Sequence, residues 1–310
     1  MEKINKLLIG PIATKVLHNL HKIKQNKIID FGALKRAKEY QEQLQKERAS
    51  KNFSELDPLH ALYADAQHCI ADFIGEFSNL PESRLLNKRY EEAEDIYLPS
   101  GPPMSPLTQS YFFCWAAFDM CVGIQKETYV TIMLEIYKTL KADPNLIQVV
   151  KCMQESRMGL YVHQSYDGKF VYFRELYTNK KIKAHIGSRY NGIPGEIWLV
   201  RLFPDPFGFG DYSIAFTTPY VIIKAQPGMT KFDTTIFYGE DEWLDFIKRS
   251  LSKMKIKDPE TAYYDFMKYG LSKHYWPEYI SDGYVNHTGN LIWLTGFPDR
   301  PETLPHRRHR

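Results

Sequence analysis

FVYFRELY (170–177), KIKAHI (181–186), GEIWLVRLF (195–203) and YSIAFTTPYVII (212–223) decide the fold of this chain. Each is short and rich in β-branched and aromatic residues, and each is bounded by turn residues, as strands are. Asp167-Gly168 between alternating segments is a hairpin signal. Thr178–Lys181 reads as a second turn, and GSRYNGIPG (187–195) as a longer glycine-rich loop. In GEIWLVRLF both parities are apolar, Ile197 and Leu199 on one face and Trp198 and Val200 on the other. A strand buried on both faces is central in a sheet or part of a closed barrel. Pro219 cannot donate to a ladder, so it marks an edge or a bulge. Five or six short antiparallel strands of this kind predict a small β-barrel or a curled sheet.

Upstream of residue 159 the period is helical instead. Asp57-Pro58, Ser105-Pro106 and Asp143-Pro144 each combine an N-cap acceptor with proline at the first helical position. LTQSYFFCWAAFDMCVG (107–123) is apolar nearly all round and predicts the central buried helix of this half. PSGPPMSP (99–106) reads as a loop and Glu127–Lys141 as a helix. Downstream, Glu240–Lys255 and a segment opened by Asp258-Pro259 carry helical stripes, and NLIWLTGF (290–297) reads as a last strand. That strand needs a partner for its backbone groups and is expected to return to the earlier sheet. The expected class is therefore α+β: a helical N-terminal half on a small antiparallel barrel or curled sheet, followed by C-terminal helices and a returning strand. The corresponding divisions are a basic helical arm (1–50), a helical part (51–158) and the β unit with its C-terminal helices (159–310).

Composition bounds the function more loosely. A chain with 44% hydrophobic and 25% charged residues is globular in balance, and a net charge of +3 names no partner. The charge is uneven, however. The first fifty residues hold eleven Lys and Arg against five acids, in two helices broken near Gly10-Pro11 and Asp30-Phe31-Gly32, and RRHR closes the chain at 307–310. Basic segments of this kind contact nucleic acid or anionic surfaces, or simply form solvated helix faces. The four cysteines at 69, 114, 121 and 152 show no CxxC spacing and read as reduced, small buried thiols. With no apolar run of transmembrane length and no export signal at the start, the expected location is the cytoplasm.

The islands SGPPMSPLTQSYFFCWAAFD, RELYTNKKI, GEIWLVRLFP, FTTPYV and TGFPDRPETLPH resemble those of a set of uncharacterised bacterial proteins. The resemblance spans about residues 95–306 and leaves the basic arm outside. It implies a bacterial protein forming one coherent unit, and it carries no activity and no catalytic residue.

The motifs of P-loop NTPases, dinucleotide-binding folds, zincins, α/β-hydrolases and EF-hands are absent from the sequence. No cofactor is implied. His and carboxylates at Asp282, His287, Asp299 and His306 match no compact metal spacing, so no metal site is expected. Asp119 lies in the most apolar stretch, where a charge must be paired or have its pKa shifted. Glu175, Glu196, Arg174 and Arg201 punctuate the strands, and ordinary cross-strand ion pairs are their simplest use.

Two functional expectations follow. In the first, the β unit is a binding module for a peptide or nucleic-acid strand, with Tyr172, Arg174, Tyr190, Trp198, Arg201 and Tyr220 combining stacking surfaces and positive charge. In the second, the protein is a hydrolase or nuclease with Asp119, Glu175, Glu196 and Asp282 in a cleft between the halves. An enzyme requires at least two of these acids to converge on one pocket.

Overall fold

A computed structural model describes residues 10–25, 56–97, 105–223 and 239–295 of the chain. The rest of the basic arm, most of the loop at 99–106, Asp299, His306 and the RRHR tail lie outside the described residues.

Four helices open on aspartate or serine followed by proline, and their caps are made. Asp57 accepts from the Leu59 amide ahead of α2 (Pro58–Ser78), and Ser105 from the Thr108 amide ahead of α4 (Pro106–Phe118). Asp143 does the same for α6 (Pro144–Glu155) and Asp258 for α8 (Pro259–Tyr269). Between them lie α1 (Pro11–Gln25), α3 (Arg84–Tyr97), α5 (Tyr129–Leu140), α7 (Glu240–Ser252) and α9 (Tyr275–Gly283). The sequence reading did not anticipate α3 or α9. It also ran α4 on to residue 123, whereas the helix stops at Phe118. Asp119 is its C-cap, and the chain then turns through a short bridge between Val122 and Glu127.

The first stretch of the arm is docked rather than free. α1 buries Ile12, Ala13, Val16 and Leu17. The Glu127 carboxylate accepts from the Ile12 and Ala13 amides at 3.0 and 3.1 Å, a cap supplied from far along the chain.

The strands are β1 (Met158–Tyr166), β2 (Val171–Glu175), β3 (Lys181–Ile186), β4 (Ile197–Phe203), β5 (Ser213–Ala215), β6 (Tyr220–Ile223), β7 (Tyr284–His287) and β8 (Ile292–Thr295). β1 pairs with both β2 and β4, β2 with β3, β3 with β5, and β5 with β4. These five strands form a closed barrel. Not every pairing is antiparallel, contrary to the sequence expectation: β3 and β5 run parallel. Pro219 lies in the break between β5 and β6. Both strands run along one edge of β4, β5 at its C-terminal end and β6 at its N-terminal end. The break therefore lets the chain leave the barrel while staying on the same strand. The returning strand β8 pairs with β6, also in parallel, and β7, unforeseen, pairs with β8.

Strand parity sorts the core into three compartments. Inside the barrel sit Tyr161, Val171, Phe173, Ala184, Trp198, Val200 and Leu202. On the opposite face of the strands, Leu160, Val162, Ile197, Leu199, Tyr220 and Ile292 join residues of α1, α3, α4, α7, α8 and α9 in one apolar cluster. A second helical cluster combines α2, α5, α6 and the other side of α4 with Phe203 and Ile214. The largest cluster thus crosses residue 159.

Inside the barrel, Tyr161 is fitted over a glycine. A Cβ on Gly159 would come within 2.5 Å of the Tyr161 ring, which is itself buried among Phe173 and the strands. Gly159→Val is expected to lower stability by about 1–3 kcal/mol through overpacking, read as a reduced midpoint in urea unfolding; an unchanged midpoint would show that the ring has room to move.

Candidate functional site

Three of the four acids singled out from the sequence, Asp119, Glu175 and Glu196, are held by different partners. Glu175, at the end of β2, pairs with Arg157 at 2.8 Å and accepts from the Thr178 hydroxyl. The Arg157 guanidinium also lies over the Tyr263 ring. Glu196, just ahead of β4, fastens the 187–195 loop over one end of the barrel. Its carboxylate accepts from the Tyr190 hydroxyl, from the Ile193 amide at 3.1 Å and from the Trp198 indole at 2.9 Å. Asp282 is half-buried on α9. The arginines differ from the expected cross-strand pairs as well. Arg174 pairs with Glu240 at the start of α7, and Arg201 pairs with Asp119.

Asp119 is the centre of the most deeply buried polar network. As the C-cap of α4 it projects between β4 and α8. Its Oδ2 accepts from an Arg201 Nη, and its Oδ1 from Lys268 Nζ at 3.0 Å. Arg201 also donates to the carbonyl and hydroxyl of Ser156, both at 3.0 Å. Lys268 donates to the carbonyls of Gln154 at 2.6 Å and Ser156 at 2.9 Å, so all three ammonium protons are used. The Gln154 side chain extends the network to the Phe118 carbonyl and the Thr128 hydroxyl. Arg201 is 0%, Lys268 1% and Asp119 5% exposed, which excludes direct contact with a large ligand.

One carboxylate serves two cations here. Burial works against the Arg201 charge, yet Asp119 beside it raises its pKa, so it stays protonated. Lys268 is lowered to about 8 by burial, with Asp119 opposing the shift and Arg201 reinforcing it. Burial likewise pushes the neighbouring Cys114 thiol up to about 12 and keeps it neutral. Sequence reasoning named Asp119 and Arg201 separately and missed Lys268. The one available signal was the demand of a carboxylate in an apolar stretch for a cation, and it does not say which.

Beside this network opens a cleft of about 350 Å³, with Asp119 and Trp115 on its wall and Arg89, Lys126, Lys273, Cys121 and Tyr269 around it. Its other lining carboxylate, Asp265, pairs with Lys126 at 2.9 Å. The acids of the cleft are thus each neutralised by a cation. None of Glu175, Glu196 and Asp282 lines it.

The six aromatic and basic residues read as a binding face divide. Trp198 is enclosed in the barrel, while Arg201 and Tyr220 are buried under the helices; all three are 0% exposed. Tyr190 stacks on Trp198 in the loop that covers the barrel end. Tyr172 and Arg174 alone remain together on the outer face of β2. There they pair across the ladder with Lys183 and Lys181. Lys169, Lys180 and Lys181 around them are exposed, and Phe170 lies under the Lys169 and Lys183 ammonium groups. Asp167, Asp211 and Glu240 bind Tyr172, Lys183 and Arg174 respectively. Among the described residues no helix is long and apolar enough to cross a membrane, and no group of three His, Cys, Asp or Glu is placed to hold a metal ion. Neither protein-family models, curated proteins nor solved structures give a match to the chain.

The buried network makes two measurable demands. Asp119→Asn strands two buried cations and is expected to cost about 3–5 kcal/mol in urea unfolding. Lys268 regains its ordinary pKa of 10.5 on unfolding. Between about pH 8 and about pH 10.5 the unfolded chain therefore binds the extra proton, and stability climbs with pH through this group. The unfolding free energy of the wild type minus that of Lys268→Met should accordingly grow, by on the order of 1–3 kcal/mol, over that window. A flat difference would mean that the ammonium is not under burial stress.

Proposed function

We propose that the protein is a binding protein for an anionic chain, a single-stranded nucleic acid, engaged by the outer face of β2 and β3. The observation that carries this reading is the register of that hairpin, which sets Tyr172 beside Lys183 and Arg174 beside Lys181 on one outer face, Lys181 exposed and the other three half-buried. Lys169, Lys180 and Phe170 widen it into a stripe of cations interleaved with rings. Ammonium and guanidinium groups neutralise backbone phosphates, and rings stack on bases without regard to sequence. Asp211 and Glu240 offset part of the charge of Lys183 and Arg174. The bacterial, cytoplasmic setting and the basic character of residues 1–50 read from the sequence accord with this function.

The hydrolase or nuclease alternative has less behind it. Asp119, Glu175 and Glu196 have separate partners, and both oxygens of Asp119 are occupied by cations.

Fluorescence anisotropy of labelled single-stranded oligonucleotides tests the proposal. Binding should weaken with salt, with a log–log slope of about −2 for some three phosphate contacts. The single substitution Lys181→Glu, at an exposed side chain, should weaken it severalfold while leaving the urea midpoint unchanged. An absence of binding to DNA or RNA at low salt removes the nucleic-acid reading, and retention of an acidic peptide by the same face would reassign the chain it binds.

A further inference from the structure

The cleft beside Asp119 has an electrostatic imbalance that the β2–β3 face does not account for. Arg89 on α3 lies half-buried on its wall. The guanidinium donates once, to the Cys121 carbonyl. No carboxylate pairs with it among the described residues, although a guanidinium carries five donors in a planar fork. Lys273, on the same cleft, meets Glu92 only at 3.7 Å, and both side chains are well exposed, so this pair is weak and exchangeable. On the wall, Asp119 supplies one negative charge against the buried Arg201 and Lys268, which leaves a positive charge in excess within the fold. Charge left uncompensated in a dry interior is costly. The Cys121 thiol on the cleft senses this field: burial raises its pKa, while Arg89, Lys126 and Lys268 all pull it back.

Trp115, Met254 and Leu271 add apolar wall, beside Ser272 and two glycines. The Tyr269 face is already covered by the Lys126 ammonium, 4.2 Å from the ring centre. Ligand sites of this size combine apolar walls with a few polar groups that fix orientation. We propose that this cleft binds a small organic anion, a carboxylate or phosphate head carried on a compact apolar body. The head lies against the Arg89 fork, where two parallel hydrogen bonds are available. Lys273 exchanges Glu92 for it, and the apolar body rests on Trp115, Met254 and Leu271. This site is independent of the nucleic-acid reading, since none of its residues lies on β2 or β3.

Isothermal titration calorimetry on the full chain with benzoate, phenyl phosphate and inorganic phosphate provides the test. At least one of the two organic probes should saturate, with a Kd of about 1 mM or below, and should bind more tightly than inorganic phosphate. Preference for benzoate assigns a carboxylate head, and preference for phenyl phosphate a phosphate head. Arg89→Gln, which keeps a donor for the Cys121 carbonyl, should weaken binding about tenfold or more, and Arg89→Lys should recover part of the loss. Lys273→Gln changes an exposed side chain and should weaken binding severalfold, so it decides the matter even if the Arg89 variants do not fold. Lys181→Glu should leave these titrations unchanged. Failure of both organic probes to saturate, or wild-type affinity in Lys273→Gln or in a folded Arg89→Gln, overturns the site.

Discussion

The shared carboxylate of Asp119 is the constraint around which the two halves are arranged. It joins the end of α4 to β4 through Arg201 and to α8 through Lys268. The same two cations bind the carbonyl of Ser156, where the helical part passes into the barrel. Four segments distant in sequence therefore meet at one carboxylate and one peptide group. Such a network tolerates little further loss, because each buried donor or acceptor without a partner incurs the full cost of its desolvation, and Arg201 Nε already has none among the described residues. It also has directional requirements that apolar packing lacks. The surrounding cores of Leu, Phe and Tyr would tolerate sliding; the fork of Arg201 and the three ammonium protons of Lys268 would not. Its role is thus to fix how the helices sit on the outside of the barrel.

The barrel is closed in a way that denies its interior to ligands. Tyr161, Phe173 and Trp198 fill it, Gly159 makes space for the first of these, and the Glu196-fastened loop covers one end. The two proposed sites accordingly lie outside it: the cationic face of β2 and β3, and the cleft between α3, α4 and the C-terminal helices. Both are places where cations outnumber the acids immediately available to them. They differ in kind, one an exposed strip suited to a chain, the other a concavity suited to a molecule of a few atoms.

Much of the fold was legible in local sequence. Helix starts at Asp57, Ser105, Asp143 and Asp258 are governed by one side chain and its next three residues, and all four caps form. Pro219 signalled an irregularity because its missing donor is a local fact, but it was read as an edge or a bulge within a strand, and the chain instead breaks there between β5 and β6. The failures share a different physics. α9 was hidden by Pro277, which is tolerated only because amides in a first turn lack helical partners anyway. The parallel β3–β5 closure and the β8–β6 return depend on where distant strands arrive. For the candidate site, Asp119 stood out as a buried charge, but Arg201 and Lys268 come from 82 and 149 residues further on. Strand residues such as Trp198 and Tyr220 were named by composition; which of them reach solvent depends on what covers each face. Arg89 gave no signal at all, since its distinction is the lack of a paired carboxylate among the described residues.

The closing pair of the barrel has a further consequence. β3 and β5 meet over three residue pairs, Ala184 with Ser213, His185 with Ile214 and Ile186 with Ala215, and β5 is itself three residues long. The other ladder of β5 in the ring, to β4, is shorter still at two pairs, whereas β2–β3 has four and β1–β2 and β1–β4 five each, so β5 is the weakly held strand of the ring. The hoop therefore resembles a rolled sheet fastened by a short clasp. Transient opening begins where the fewest hydrogen bonds must break together. The clasp is thus the seam at which backbone amides exchange with solvent first, and at which a rolled barrel becomes, for a moment, an open curved sheet with two fresh edges.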